Sequence, residues 1–180
     1  FQDFSIEPNF SVLCFNSSQM IGNGQLIPSG PLREGLGAIK RADCLIINGD
    51  KNYDFEKKIY SIKKEIKIFY SNYKIKNIEK YYGKKIAAFA GIGNPENFFN
   101  LLKKNKLDLI KTYIFPDHHN YSKKDFEIMK KENSNMLVTT EKDFNRMNEE
   151  QKKNCSIIEV DLEIENIQKF KELIKSYLWK

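Results

Sequence analysis

Short apolar runs alternate with polar, helically spaced segments along most of the chain. SVLCF (11–15), CLIIN (44–48), LDLIKTYIF (107–115), MLVTTE (136–141) and SIIEVDLEI (156–164) read as strands. KIAAFAGI (85–92) has almost no polar interruption, as a strand covered on both faces requires. Between these runs lie segments with helical spacing. ENFFNLLKKN (96–105) is preceded by Asn94 as an N-cap and Pro95 in the first turn. SKKDFEIMKKEN (122–133) opens with Ser122 and Asp125 in capping-box spacing, and Thr140 with Asp143 repeats that arrangement before EKDFNRM. NIQKFKELIKSYLWK closes the chain as an amphipathic helix with Ile167, Phe170, Leu173, Ile174 and Leu178 on one face. A short helix is expected near Ala38–Ala42. Strands alternating with helices predict an α/β fold: a mostly parallel sheet with helices on both faces, a three-layer sandwich. The Lys- and Tyr-rich stretch 51–83, with a β-like segment at 66–75, reads as a linker or small lobe.

The chain has 180 residues, 41% hydrophobic and 30% charged, enough for one ordinary α/β domain or two small lobes. No apolar run approaches the roughly 18 residues that span a bilayer. The net charge is +6, yet only Arg33, Arg41 and Arg146 are arginines; the other basic residues are Lys. Lysine runs of this kind read first as solvated faces, and second as attraction to an anionic surface, either nucleic acid or acidic lipid. There is no RNP-like aromatic motif, zinc finger or basic heptad arm, so no nucleic-acid partner is expected. Cys14 and Cys44 sit in apolar runs and read as small buried residues of a reducing compartment, and no Cys/His cluster predicts a metal site.

Ligands of parallel α/β sheets bind beyond the carboxyl ends of the strands. Three polar turns fall there: Gly91–Asn94, Asp117–His119 and Thr139–Lys142. The two histidines of the chain, His118 and His119, stand beside Asp117, and a neighbouring carboxylate can orient an imidazole and raise its basicity. Gly91-Ile92-Gly93 begins like a dinucleotide fingerprint, but Glu96 occupies the third glycine position, so a packing turn is the better reading. The loop GNGQLIPSGPLREGLG carries five glycines between Gly22 and Gly37, and its Arg33-Glu34 pair suits a phosphate and a hydroxyl. The sequence contains no G-x-x-x-x-G-K-[ST].

Six segments in order resemble the tetraacyldisaccharide 4'-kinase family, the lipid A kinases of Gram-negative bacteria. They are FQ at 1–2, GNGQLIPSGPLRE at 22–34, the strand ending Asn48-Gly49, FAGIGNPENFF at 89–99, FPDHHNY at 115–121 and TTEKD at 139–143. The resemblance implies transfer of the ATP γ-phosphate to the 4'-hydroxyl of tetraacyldisaccharide 1-phosphate, with ATP and Mg²⁺ as cofactors, at the cytoplasmic face of the inner membrane. It implies that His118 is the catalytic histidine, orienting and tuning a base carboxylate. It implies that Asn23, Gly24, Arg33, Glu34, Asp117 and His119 belong to the cleft, with Gln2 beside the acidic motif that manages the metal. Of that DDGFQ motif only Phe1-Gln2 is present, and the chain opens with Phe rather than Met. The expectation is therefore a carboxyl-terminal portion whose P-loop half is missing. Residues 1–50 would be a remnant of the kinase lobe, 51–83 a linker, and 84–180 the C-terminal α/β domain. Two rival readings are a non-catalytic module binding nucleotide or acidic lipid, and a metal-dependent phosphoesterase suggested by the letters DHH.

Overall fold

The computed structural model describes residues 5, 7–131 and 134–178. In chain order the elements are β1 (Val12–Asn16), β2 (Cys44–Asn48), α1 (Tyr53–Ile62), β3 (Lys67–Ile75), β4 (Ile86–Ala90), α2 (Pro95–Lys104), β5 (Leu109–Ile114), α3 (Lys123–Lys130), β6 (Met136–Thr140), α4 (Glu141–Asn145), α5 (Glu149–Lys152), β7 (Ser156–Ile158), β8 (Val160–Ile164) and α6 (Ile167–Leu178). The chain forms two compact units, residues 1–72 with 162–180 and residues 73–161. It passes from one to the other within β3 and returns within β8.

The first unit is built on a sheet of order β1-β2-β3-β8. β1, β2 and β3 are parallel, with Val12 opposite Cys44 and Cys44 opposite Lys67. β8 runs the other way. Glu165 N–H donates to the Tyr70 carbonyl (2.8 Å) and Lys76 N–H to the Glu159 carbonyl (2.9 Å), so residue numbers rise along one strand as they fall along the other. Successive side chains of β3 face opposite ways. Tyr70 joins Leu45, Ile47, Ile39 and the α1 residues Phe55 and Ile59 in one core. Phe69 instead meets Phe170 of α6 edge-on at 5.1 Å. α1 was not legible as a helix in the Lys- and Tyr-rich stretch expected to be a linker. Its signals are Asn52, whose side chain accepts the Phe55 N–H (2.9 Å), and the spacing of Phe55 and Ile59.

The second unit holds a fully parallel sheet of order β5-β4-β6-β7. All five residues of β4 are buried. Ile86, Ala88 and Ala90 pack with Phe98, Phe99 and Leu102 of α2. Ala87 and Phe89 pack with Tyr121 and with Phe126 and Met129 of α3. Helices thus cover both faces, as the uninterrupted apolar run requires, and the α/β class is the one the alternation of strands and helices predicts. The Ser122–Asp125 capping box is present, and Thr140 accepts the Asp143 N–H as a cap.

Four local expectations need correction. The run 156–164 is two strands separated at Glu159, because β7 pairs with β6 whereas β8 joins the other sheet. The short helix near Ala38–Ala42 is a 3-10 turn at Leu36–Arg41. Asn94 occupies the N-cap position of α2 without a side-chain hydrogen bond, and Pro95 alone sets the first turn. Cys44 is buried, but Cys14 is exposed because β1 lies at the sheet edge.

Phe89 is fully buried and touches the rings of Phe115, Tyr121 and Phe126. Truncation leaves a cavity that the rings of the β5 exit loop and α3, fixed by their own packing, cannot fill. We expect Phe89→Ala to lower unfolding free energy by about 3–5 kcal/mol in urea melts.

Candidate functional site

The order β5-β4-β6-β7 makes β4 a switch point: the chain leaves it once toward β5 and then returns to pair β6 on its other side. Crevices at the carboxyl ends of such strands are where α/β sheets place ligands. The turns after β4, β5 and β6 all open on this one edge, as expected from the sequence.

Gly91, the first residue beyond β4, has both of its backbone polar groups captured. Its N–H donates to Asp143 Oδ2 (3.1 Å). Its carbonyl accepts from Arg146 Nη1 (3.1 Å) and from the His118 N–H (3.1 Å). A Cβ at Gly91 would stand 2.9 Å from the Tyr121 hydroxyl, 3.0 Å from the Pro116 carbonyl and 3.2 Å from Asp143 Oδ1. The glycine is required by packing, as expected of a packing turn at Gly91-Ile92-Gly93. Asp143 is fully buried; its Oδ2 also accepts from the Thr140 hydroxyl (2.7 Å), and its Oδ1 lies 3.6 Å from Arg146 Nη1. Burial, and then the Asp143 charge, push the Tyr121 phenol well above its ordinary pKa.

The adjacent histidines have opposite environments. His119 is three-quarters covered: its ring stacks on Phe115 at 4.6 Å, meets Tyr121 edge-on at 5.1 Å, and places Nε2 3.2 Å from Asp125 Oδ2. Asp125 also accepts from the Ser122 N–H (2.7 Å) and hydroxyl (2.8 Å). Burial acts to raise the Asp125 pKa, but these hydrogen bonds and His119 outweigh it and hold the carboxyl below its ordinary value. The His118 side chain is 77% exposed, with Nε2 3.9 Å from Asp117 Oδ2. Its φ is +62°, a left-handed conformation unusual for a residue with a Cβ.

The remaining candidates belong to the first unit, apart from Gln2, which lies outside the described residues. Asn23 organises the glycine loop: its Nδ2 donates to the Ser29 carbonyl (2.8 Å) and its Oδ1 accepts the Gln25 N–H (3.1 Å). Gly24 follows at φ +76°. Glu34 forms an ion pair with Arg41, seven residues onward at the end of the 3-10 turn. Arg33, Glu34, Cys14 and Asn16 help line a cavity of about 420 Å³ beside β1. Asn23, Gly24, Arg33 and Glu34 therefore gather in one unit, and Asp117, His118 and His119 in the other. Asp143, Arg146 and Tyr121 escaped the sequence-based site. Asp143 was legible only as a cap, and nothing local shows that its second oxygen reaches Gly91. Among the described residues no group of three or more His, Cys, Asp or Glu could hold a metal ion, and no helix is long and apolar enough to cross a membrane.

Fold and edge define an α/β protein with a switch point at the carboxyl end of β4. The comparisons narrow this to a kinase family. The chain belongs to the tetraacyldisaccharide 4'-kinases, for the model described as Tetraacyldisaccharide-1-P 4'-kinase matches residues 1–178. The tetraacyldisaccharide 4'-kinase of Pelagibacter ubique is 34% identical over 174 residues, covering 91% of this chain and 54% of that protein. That of Bradyrhizobium diazoefficiens is 32% identical over 188 residues, covering all of this chain and 56% of that one. The solved structure of LpxK from Aquifex aeolicus in complex with ATP shares the fold, at a TM-score of 0.67 and 20% identity, over 99% of this chain and 55% of that chain. The chain spans about half the length of the relatives it matches.

The depressed Asp125 carboxyl gives a signed expectation. Its ionised form stabilises the fold above the unfolded value of 3.8, and that contribution is lost as pH falls through the lower folded value. Asp125→Asn should cost about 1 kcal/mol at neutral pH, the usual worth of such a cap. The gap to wild type should close in urea melts taken well below pH 3.8.

Proposed function

We propose that the chain supplies a histidine and a substrate loop to phosphoryl transfer from ATP to the 4'-hydroxyl of tetraacyldisaccharide 1-phosphate, in lipid A biosynthesis. The observation that carries this reading is the family match along residues 1–178. Positioning and charge stabilisation dominate such transfers. His118 suits the first of these: its imidazole is exposed at a switch-point edge, on a backbone tied to Gly91 and with Asp117 beside it. In this reading it orients and tunes a carboxylate base that accepts the 4'-hydroxyl proton. His119 is the second-best candidate for that role, because its ring is already engaged by Phe115, Tyr121 and Asp125.

Arg33 lines the cavity beside β1 and is the guanidinium suited to an anionic substrate group, while the Glu34–Arg41 pair braces the turn that carries it. Asn23 and Gly24 shape the same loop. The sequence has no P-loop, and the described residues do not fit a Mg²⁺ site. The phosphate cradle, the base and the residues that hold Mg²⁺ are therefore assigned to the half of the relatives' length that this chain does not span, with Gln2 adjoining them. Residues 1–50 then read as a remnant of the P-loop lobe, with 51–72 and 162–180 folded into the same compact unit and 73–161 forming the other. The net charge of +6 suits an anionic lipid and the cytoplasmic face of an inner membrane.

Formation of labelled 4'-phosphate tests the proposal. The 180-residue chain alone should give none, and joining it to a family half that carries the P-loop should restore transfer. In the joined protein His118→Ala should lower kcat by about 100-fold or more, whereas His119→Ala should lower the melting temperature and leave kcat within a few-fold. Transfer by the chain alone would refute the division of labour. Nucleotide or lipid binding without turnover in the joined protein would favour a non-catalytic module.

A further inference from the structure

We infer that Asp143 and Arg146 are positioning residues for His118, acting through the Gly91 peptide. The inference rests on the reading of His118 given above, and it assigns a task to the TTEKD segment beyond helix capping. A histidine at φ +62° holds a strained conformation that persists only where the surroundings over-determine it. Here the determinants can be followed atom by atom. The His118 N–H donates both to the Gly91 carbonyl (3.1 Å) and to Asp117 Oδ1 (3.0 Å). The same Gly91 carbonyl accepts from Arg146 Nη1 (3.1 Å), and the Gly91 N–H is held by Asp143 Oδ2 (3.1 Å).

One glycine residue is thus gripped from α4 on both of its polar groups and hands its carbonyl on to the histidine backbone. The grip is stiff because Asp143 is fully buried, anchored by Thr140, and opposed by Arg146 at 3.6 Å. Neighbouring β4 is pinned as well, for the Thr139 hydroxyl donates to the Phe89 carbonyl (2.9 Å). A buried carboxylate is expensive to keep, and capping a five-residue helix does not require one so deep. Gripping a peptide that sets a neighbouring loop does. Asp143 and Arg146 touch no exposed face of the imidazole; their effect is on where it points.

The test combines two measurements. In ¹⁵N-labelled protein, Arg146→Met and Asp143→Asn should speed amide exchange at His118 by about tenfold or more, with the amides of β4 still protected. Arg146→Lys, which keeps one donor, should restore part of the protection. In the protein joined to its P-loop half, Arg146→Met should lower kcat by about 10- to 100-fold with KM for both substrates unchanged. That loss should vanish in a His118→Ala background, because a positioning residue has nothing left to position. An equal loss in that background, or unchanged His118 exchange in both variants, overturns the inference. If His118→Ala leaves transfer intact, the functional reading fails instead, and the exchange data still decide whether the grip exists. Should Asp143→Asn not fold, Arg146→Met and Arg146→Lys carry the test alone.

Discussion

Burial of β4 on both faces is the constraint from which the rest of the second unit follows. A strand with no solvent face has to sit inside its sheet and between two helical layers. Its residues serve opposite faces in turn: Ala87 and Phe89 face α3, while Ile86, Ala88 and Ala90 face α2. Phe89 sits at the centre of its side, with three aromatic rings edge-on around it. Because β4 is central, the chain must leave it toward β5 on one side and come back to β6 on the other. The switch point at its carboxyl end is a consequence of covering an apolar strand, and any function placed there inherits that rigidity.

The polar chemistry begins one residue further on. Gly91 cannot carry a side chain, since Tyr121, Pro116 and Asp143 already occupy the space. Its peptide groups leave the ladder of β4 and would be unsatisfied without partners from other turns. Asp143 and Arg146 from α4 and the His118 amide from the β5 exit loop supply them. Satisfying a buried backbone thereby ties together three turns that are far apart in sequence.

The two histidines show how packing separates identical residues. His119 is enclosed by Phe115, Tyr121 and Asp125, so its ring serves the loop that bears it. His118 is turned outward by a left-handed backbone. In the first unit a similar division separates Asn23, which is spent on holding its own loop, from Arg33, which lines a cavity. The roles proposed for His118 and Arg33 rest on membership of the tetraacyldisaccharide 4'-kinases.

Much of this was legible from residue order alone. The apolar runs, the Ser122–Asp125 box and the turn residues at strand ends are local signals, written within a few positions of one another. They placed six of the strands, four helices and the three polar turns of the switch-point edge to within a few residues. Helix α1 stayed hidden because its apolar face, Phe55, Ile59 and Ile62, lies among lysines and tyrosines and needs the sheet beneath it to count. The division of 156–164 also escaped, since strand pairing is decided by which partners the two halves find. So did the pairing of Glu34 with Arg41. The reach of Asp143 to Gly91 spans fifty-two positions and depends on β4 and β6 lying side by side. Sequence determined which segments are strands and helices, through periodicity and capping. Tertiary structure alone decided which histidine faces outward, because that depends on hydrogen bonds and ring contacts between segments that meet only when the sheet has formed.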